Sequence, residues 1–157
     1  MNTLIVFDSQ FGNTERIAQA IATALRAYGP VRAVRVSRAR PAEAKDLDLL
    51  VMGCPTQVWQ PTEAMVAYVA GITPDHLRGT AVACFDTRFH MPPWLTGSAA
   101  RILANRLERR GIALVVPPES FFVDGKEGPQ ETGELERAAT WARMIARQIA
   151  PSRLVAS

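Results

Sequence analysis

Short apolar runs alternate along the chain with segments whose apolar residues recur every three or four positions. Residues 4–7 are continuously apolar, which is typical of a strand buried on both faces of a sheet. Beyond a polar turn, a helix is predicted by apolar positions four residues apart, at Ile17, Ile21 and Leu25. This pattern stops at the helix breaker Tyr28-Gly29-Pro30. The chain therefore opens with a strand, a turn and an amphipathic helix.

The same alternation continues towards the C-terminus. Further strands are predicted by apolar or alternating runs at residues 31–36, 48–53, 80–85 and 113–116, with a continuation of the last at 121–123. Further helices are predicted by the spacing of apolar residues at residues 62–71, 98–110 and 135–149. Five strands thus alternate with helices.

This order of elements predicts the fold class. Strands that alternate with helices form a parallel sheet with helices on both faces, joined by right-handed crossovers. We therefore expect an α/β protein, a three-layer αβα sandwich with a five-stranded parallel sheet that residues 1–157 form as a single domain, and we assume the strand order 2-1-3-4-5. Ligands of such sheets bind beyond the carboxyl ends of the strands. In this strand order three loops converge there, at residues 8–14, 54–60 and 86–97.

Composition narrows the class of protein. A chain of 157 residues with 48% hydrophobic and 21% charged residues is typical of a globular domain with its own core. The apolar runs are too short to span a bilayer and no signal peptide is recognisable, which predicts a cytoplasmic protein without membrane association. Cys54 and Cys84 lie far apart and have no histidine nearby, so we expect buried free thiols and no metal site.

The charge balance is basic. The formal net charge is +3 and only Lys45 and Lys126 are lysines, so arginine supplies nearly all of the positive charge. Clustered arginines can contact phosphates or an acidic partner protein. Nothing else in the sequence indicates nucleic-acid recognition, so we interpret the arginines as a solvated surface and expect no nucleic-acid partner.

The turn after the first strand, Ser9-Gln10-Phe11-Gly12-Asn13-Thr14, is rich in hydroxyl and amide side chains. Backbone N–H groups at a helix N-terminus can bind a phosphate, and glycine permits its close approach. The turn contains no lysine or arginine and neither a Gly-Lys-Ser/Thr nor a GxGxxG motif, unlike triphosphate and dinucleotide loops. Two interpretations follow: a single phosphate held by neutral donors, or simple helix capping by Ser9, Asn13 and Thr14.

This turn resembles a family signature. Asp8 to Glu15, directly after an N-terminal strand, is similar to the flavodoxin signature in which Ser/Thr-x-x-Gly-Asn-Thr wraps the 5′-phosphate of FMN. The order and length of the elements are similar along the whole chain, in the short-chain form. An aromatic residue at Phe11 resembles the flavodoxin domains of the flavodiiron proteins and the quinone-reductase branch. The resemblance implies that Ser9, Gln10, Phe11, Gly12, Asn13 and Thr14 bind the phosphate of FMN.

A second stretch, Gly53-Cys54-Pro55-Thr56-Gln57-Val58-Trp59, lies where flavodoxin-like proteins place their first flavin loop. An isoalloxazine ring needs flat apolar contact on its faces and polar backbone groups along its pyrimidine edge. The resemblance implies edge contacts from Thr56 and from the backbone of Gln57 and Val58, with Pro55 in the same loop. Trp59 is either the ring that stacks on the flavin or a partly buried anchor of its loop.

The loop at residues 86–97 corresponds to the second flavin loop. By position, the resemblance implies that Asp86, Thr87, Arg88 and Phe89 line the pyrimidine and ribityl side of the cofactor, and that Phe89 or Trp94 covers its second face. Arg88 beside the pyrimidine edge would favour the reduced, anionic flavin by charge attraction. An ordinary surface arginine is the alternative interpretation.

Two features depart from the family pattern. Electron-carrying flavodoxins are usually acidic, whereas this chain is basic. Such carriers also often have a glycine after the loop aromatic, where a peptide flips to bond the half-reduced flavin. Here Gln60-Pro61 follows the aromatic residue, and proline restricts such a flip. Both features argue against a one-electron shuttle with a long-lived half-reduced flavin.

Three functions are compatible with this sequence. The first is an FMN-binding electron-transfer flavoprotein, a carrier without catalytic residues of its own that serves a redox partner protein or reductase. The second is an FMN-dependent NAD(P)H:quinone oxidoreductase, and the third is a flavodoxin-like module that has lost FMN and acts in binding or regulation. We expect the electron carrier, as a monomer or a homodimer.

Overall fold

The computed structural model describes the backbone of residues 1–154 and the side chains of residues 1–150, so that residues 155–157 of the predicted domain lie outside the described part. Its strands are β1 (Thr3–Phe7), β2 (Val31–Arg35), β3 (Leu49–Pro55), β4 (Ala81–Phe89) and β5 (Glu119–Val123). All neighbouring strands are parallel and the order is β2-β1-β3-β4-β5. The predicted fold class and strand order are confirmed.

Helices cover both faces of this sheet. They are α1 (Asn13–Leu25), α2 (Glu63–Gly71), α3 (Pro93–Thr96), α4 (Ala99–Glu108) and α5 (Glu134–Leu154). Short 3-10 turns occur at Arg26–Tyr28, Val36–Arg38 and Pro41–Ala44. Within the described residues, no helix is both long enough and apolar enough to cross a membrane.

Alternation along the strands divides the core in two. In β1, Ile5 and Phe7 pack with α1 and α5, whereas Leu4 and Val6 pack with α2 and α4. All five residues of β1 are buried, as a continuous apolar run predicts for a central parallel strand. The two cores hold the sheet rigid up to the ends of β1, β3 and β4, from which the predicted ligand loops leave.

Side-chain caps position the helices near those ends. The hydroxyl of Thr62 accepts a hydrogen bond from the Met65 N–H at the start of α2, and the hydroxyl of Ser98 accepts one from the Arg101 N–H at the start of α4. Each bond satisfies a donor that has no partner within its own helix. Both helices therefore begin at defined points beside the ligand loops.

The start of α5 is tied to β5 through Glu134. Its carboxylate accepts hydrogen bonds from the Phe122 N–H at 2.7 Å and from the Arg137 guanidinium at 2.7 and 2.9 Å. Burial acts to raise the pKa of Glu134, but the bonds from Arg137 and Phe122 outweigh it and the pKa is lowered. This ionised carboxylate joins the edge strand to the last helix.

The fifth strand is shifted from its predicted position. Residues 113–116 make only one bond to the sheet, from the Val115 N–H to the Val82 carbonyl at 2.8 Å, and the ladder with β4 begins at Glu119. Pro117 and Pro118 intervene, and proline has no N–H to give to a ladder. The aromatic segment at residues 121–123 therefore marks the fifth strand, and the apolar run at residues 113–116 does not.

The fourth strand is longer than predicted. It continues through Asp86–Phe89, a stretch predicted as loop, because these residues pair with Ser120–Val123 of β5. The start of the second predicted flavin loop is thus fixed in the sheet, and only the residues after Phe89 leave it.

Candidate functional site

The carboxyl ends of β1, β3 and β4 surround a cavity of about 530 Å³, within the size range of cofactor pockets. All three predicted loops contribute to its wall. The predicted site residues found there are Ser9, Gln10, Phe11, Asn13, Thr14, Pro55, Thr56, Gln57, Val58, Trp59, Thr87, Arg88 and Phe89. Three others, Gly12, Asp86 and Trp94, are not part of the wall.

The first of the three cavity loops, residues 8–14, is organised by Ser9. Its hydroxyl oxygen accepts hydrogen bonds from the N–H groups of Gly12 at 3.1 Å and Glu15 at 3.3 Å. Gly12, with φ of 89°, occupies the N-cap position of α1 and no side chain caps it there. Helix capping therefore describes part of what Ser9 does, but it does not describe Asn13 or Thr14.

The same loop presents unused donors. The backbone N–H groups of Gln10, Phe11, Asn13 and Thr14 donate no hydrogen bond within the described part of the chain. Asn13 is 6% exposed, and its amide oxygen is buried without a hydrogen-bond partner among the described residues. The free N–H groups at this helix N-terminus have the chemistry of a site for a phosphate, whereas the unpaired Asn13 oxygen is an acceptor and does not contribute to it.

Arg35 supports this loop from outside the cavity. Its guanidinium donates to the Ser9 carbonyl at 2.7 Å and pairs with the Glu15 carboxylate at 2.7 Å. Because Glu15 neutralises this arginine and its side chain does not line the cavity, Arg35 holds the loop in shape and leaves the inner surface to neutral donors.

Two side-chain hydrogen bonds join the loops. The hydroxyls of Thr14 and Thr87, both buried, lie 2.8 Å apart and link the first loop to β4. The Gln57 amide donates to the Gln10 side-chain oxygen at 2.7 Å and links the first loop to the second. Three segments that are distant in sequence thus form one continuous wall.

Residues 57–60 form a tight turn. Gln57 and Gln60 exchange backbone hydrogen bonds of 2.8 Å in both directions, and the two residues between them have positive φ, 44° for Val58 and 72° for Trp59. This is the type I′ geometry that glycine and asparagine favour, so a β-branched valine there is strained. Strained turns are common at binding sites.

The backbone of Trp59 is close to the third cavity loop, residues 86–97, at Gly97. A Cβ built on Gly97 would lie 2.8 Å from the Trp59 backbone, so only glycine permits this approach. The Trp59 side chain lies on the cavity wall and remains 49% exposed. It therefore combines features of both predicted alternatives, with an anchored backbone and an indole available to a ligand.

Arg88 is hydrogen-bonded within the protein through its guanidinium and is not an unpaired surface group. Its guanidinium donates to the Ser120 hydroxyl at 2.9 Å, the Met91 carbonyl at 2.6 Å and the Thr96 hydroxyl at 3.3 Å. Partial burial lowers its pKa. The residue lines the cavity, but its donors tie the third loop to β5.

Asp86 lies behind the wall. Its carboxylate accepts hydrogen bonds from the hydroxyls of Ser98 and Thr56 and from the Ala100 N–H, at 2.7 to 3.3 Å, and the residue is fully buried. We expected it beside the pyrimidine edge of a cofactor, whereas here it fixes Thr56 and the start of α4. All three bonds go to Oδ2, and Oδ1 is buried without a hydrogen-bond partner among the described residues.

Large apolar side chains surround the mouth of the cavity and remain at least 38% exposed. They are Phe11, Val58, Trp59, Phe89, Met91, Trp94 and Leu95. Trp94 is 72% exposed on the short helix α3, outside the wall, where it adds to this rim. Exposed apolar patches of this kind mark interaction surfaces.

Sequence reasoning missed several wall residues, namely Met91, Leu95, Thr96, Val123 and Lys126. Lys126 is the most informative, since it is one of only two lysines and lies in the glycine-rich stretch Gly125–Gly128. Proximity to a phosphate loop cannot be read from such a stretch, because the contact depends on how the β5–α5 connection folds back.

The electrostatics of the wall are simple. Among the residues that the structure describes, the wall contains the cations Arg88 and Lys126 and no carboxylate. Cys54 and Cys84 are free, buried thiols, as predicted. Burial raises the pKa of Cys54 to about 12 and raises that of Cys84 as well, which disfavours the thiolate form at neutral pH. Within the described residues, no cluster of His, Cys, Asp and Glu has the arrangement of a metal site.

Comparison with solved structures shows the fold. The chain superimposes on oxidised flavodoxin 2 from Bacillus cereus with a TM-score of 0.78 at 23% identity, covering 94% of this chain and 99% of that one. It superimposes on the rubredoxin oxygen:oxidoreductase of Desulfovibrio gigas with a TM-score of 0.77 at 18% identity, covering 96% of this chain and 36% of that one. The chain thus spans about a third of that larger protein.

A search of curated proteins finds no match. The family model of flavodoxin, however, matches residues 5–141. That range begins in β1, includes all three cavity loops and ends within α5. Together with the sheet order and the fold comparisons, this match shows that the chain belongs to the flavodoxin family.

Proposed function

We propose that this chain binds FMN in the cavity at the ends of β1, β3 and β4 and acts as an electron-transfer flavoprotein. Members of its family bind FMN and transfer electrons to redox partners. The observation that carries the proposal is the set of free backbone donors at Gln10, Phe11, Asn13 and Thr14. In a loop that only caps a helix, these N–H groups would be hydrogen-bonded within the protein or would face open solvent rather than a cavity.

At the phosphate end, the chain would bind a dianion without a cation in the loop. The free N–H groups and the N-terminal dipole of α1 supply positive partial charge. The Ser9 and Thr14 hydroxyls each retain a proton to donate when their oxygens accept from other groups. These donors are fixed in advance by Arg35 and by the bond to Thr87, so little order is lost on binding.

At the ring end, Trp59 and Phe89 offer flat apolar surfaces, and both are nearly half exposed. The backbone of Val58 and Trp59 offers polar groups along one edge, because the backbone groups of Gln57 and Gln60 bond to each other. Thr56 is held rigidly, since its N–H donates to the Thr87 carbonyl at 2.9 Å and its oxygen accepts from the Ala99 N–H at 3.0 Å. When bound, FMN supplies reversible uptake of one or two electrons.

The apolar rim indicates how a redox partner would reach the site. Electron carriers with an acidic rim attract their partners over a distance by charge, whereas the wall of this cavity has two cations and no carboxylate. Val58 and Trp94, exposed at 90% and 72%, would contact the partner directly. We therefore infer a partner that docks through apolar contact close to the flavin edge.

The protein as purified, and its apoprotein after acid precipitation, test this function. We expect a yellow protein that releases FMN on denaturation, and apoprotein that binds one equivalent of FMN and quenches its fluorescence. Apoprotein that is colourless after incubation with excess FMN and removal of the unbound flavin would remove both flavin functions and favour the binding module. Rapid NAD(P)H oxidation with a quinone by the loaded protein would favour the oxidoreductase over the carrier.

A further inference from the structure

The proposed phosphate site leaves a charge unaccounted for. A phosphate monoester carries nearly two negative charges at neutral pH, yet the loop at residues 9–14 contains no cation. The nearest arginine in sequence, Arg16, lies in a groove between α1 and α5 on another side of the molecule. Arg35 is paired with Glu15 behind the loop. Neither arginine side chain lines the cavity.

A different segment brings a cation to the site. Residues 123–130, which we call the strap, connect β5 towards α5 and fold back on themselves. Val123 and Gln130 form an antiparallel bridge, and inside it the Asp124 N–H donates to the Pro129 carbonyl at 3.0 Å. The Gly128 N–H closes the tip by donating to the Gly125 carbonyl at 3.0 Å. The strap is therefore an ordered hairpin.

The strap rests on the N-terminus of α1. The Gln130 side-chain amide donates to the Asn13 carbonyl at 2.9 Å. Gly128, with φ of 92°, lies so close to the Asn13 side chain that an added Cβ would overlap the amide oxygen. Both contacts involve Asn13, whose backbone N–H is a proposed phosphate donor. The strap is therefore held directly beside the phosphate loop.

Lys126 lies at the tip of this hairpin and lines the cavity. Its ammonium is 5.9 Å from the centre of the ring of Phe11, which is itself a residue of the phosphate loop. Within the described part of the chain, no carboxylate lies close enough to form an ion pair with it. The other cation of the wall, Arg88, is committed to Ser120 and Met91 at the ring end.

We infer that Lys126 is a phosphate-recognition residue, a cation delivered by the strap that selects phosphorylated flavin over riboflavin. This inference rests on the proposed function, since it assumes that FMN occupies the cavity. A flexible lysine beside the mouth adds a point charge that the loop lacks without filling the space that the phosphate needs. Its contribution is electrostatic and is therefore screened by salt.

Flavin titrations of the apoprotein test the inference. FMN and riboflavin are titrated separately against the wild type, Lys126→Met and Lys126→Arg, with Lys45→Met as the matched control, because Lys45 is the other lysine and is exposed away from the cavity. We expect Lys126→Met to weaken FMN binding by about three- to tenfold in low salt, the size expected of a partly exposed ion pair to phosphate. We expect riboflavin binding to be unchanged.

The expected pattern has two further parts. The effect of Lys126→Met on FMN shrinks in high salt, and Lys126→Arg and Lys45→Met bind both flavins like the wild type. Equal FMN affinity of Lys126→Met and wild type, or an equal loss for riboflavin, would overturn the role of Lys126 while leaving the FMN site intact. A wild-type apoprotein that binds neither flavin would instead overturn the proposed function and this inference with it.

Discussion

Replacing Thr14 by alanine probes the proposed phosphate site most sharply. The Thr14 hydroxyl is buried and 2.8 Å from the Thr87 hydroxyl, so that when Thr87 donates to it, its own proton is free for the phosphate. Loss of that donor to a charged acceptor should cost about 1.5–3 kcal/mol of binding free energy. The dissociation constant for FMN should therefore rise by a factor of roughly 10 to 150.

The same change also affects the apoprotein, because Thr87 is left without its partner. An unsatisfied buried hydroxyl costs about 1–3 kcal/mol, which urea unfolding of the apoprotein would measure. Thr87→Ala is the matched control, since it breaks the same bond between the loops but leaves the Thr14 hydroxyl in place. Thr14→Ser retains the hydroxyl and should remain within about threefold of wild-type affinity.

Calorimetric titration of the wild-type apoprotein and the three variant apoproteins with FMN separates these effects. We expect Thr14→Ala to lose far more affinity than Thr87→Ala, while both lose comparable unfolding free energy. A dissociation constant for Thr14→Ala within about twofold of the wild type would refute the assignment of this hydroxyl to the phosphate and return it to a purely structural role.

Other predictions concern the scaffold. Gly53→Ala should lower the unfolding free energy by about 2 kcal/mol or more in urea, since a Cβ there would overlap the Phe85 ring; a wild-type midpoint would contradict this packing. Native protein at pH 8 should leave Cys54 and Cys84 unmodified by a thiol reagent until denaturant is added, and rapid native labelling would refute their burial. The stability lost in Glu134→Gln should be full at neutral pH, because the bonds from Arg137 and Phe122 stabilise the ionised carboxylate and lower its pKa in the folded state. This loss should begin to shrink as the pH falls through the ordinary carboxyl pKa of about 4.3 and should vanish only below the lowered pKa of the folded state, so a pH-independent loss would exclude this linkage.

Much of this architecture is predictable from periodicity. Strand β1, the pattern of α1 and the breaker after it follow from local sequence, and the alternation of five strands with helices predicts a parallel sheet. The strand order β2-β1-β3-β4-β5 does not follow from this alternation, which several orders satisfy, but matches the family that the sequence resembles. The three ligand loops then follow from topology, since each leaves the carboxyl end of a strand. That explains why most of the predicted wall residues lie together.

The errors arose where tertiary pairing decides the outcome. Asp86 belongs to β4, because its neighbours pair with β5, and its carboxylate turns to Ser98 and Ala100 away from the cavity. The fifth strand begins only after the two prolines. Lys126 reaches the site through a hairpin that rests on Asn13, a contact between positions more than a hundred residues apart that no local pattern encodes.

Fluorescence titration of FMN with the purified apoprotein tests the central claim most directly. Free FMN is brightly fluorescent, and stacking against Trp59 or Phe89 should quench it as one equivalent binds. We predict saturable quenching at one FMN per chain, with the binding weakened by Thr14→Ala. Fluorescence that stays unchanged with excess folded apoprotein would contradict it, because the donors of residues 9–14 would then not form a flavin phosphate site.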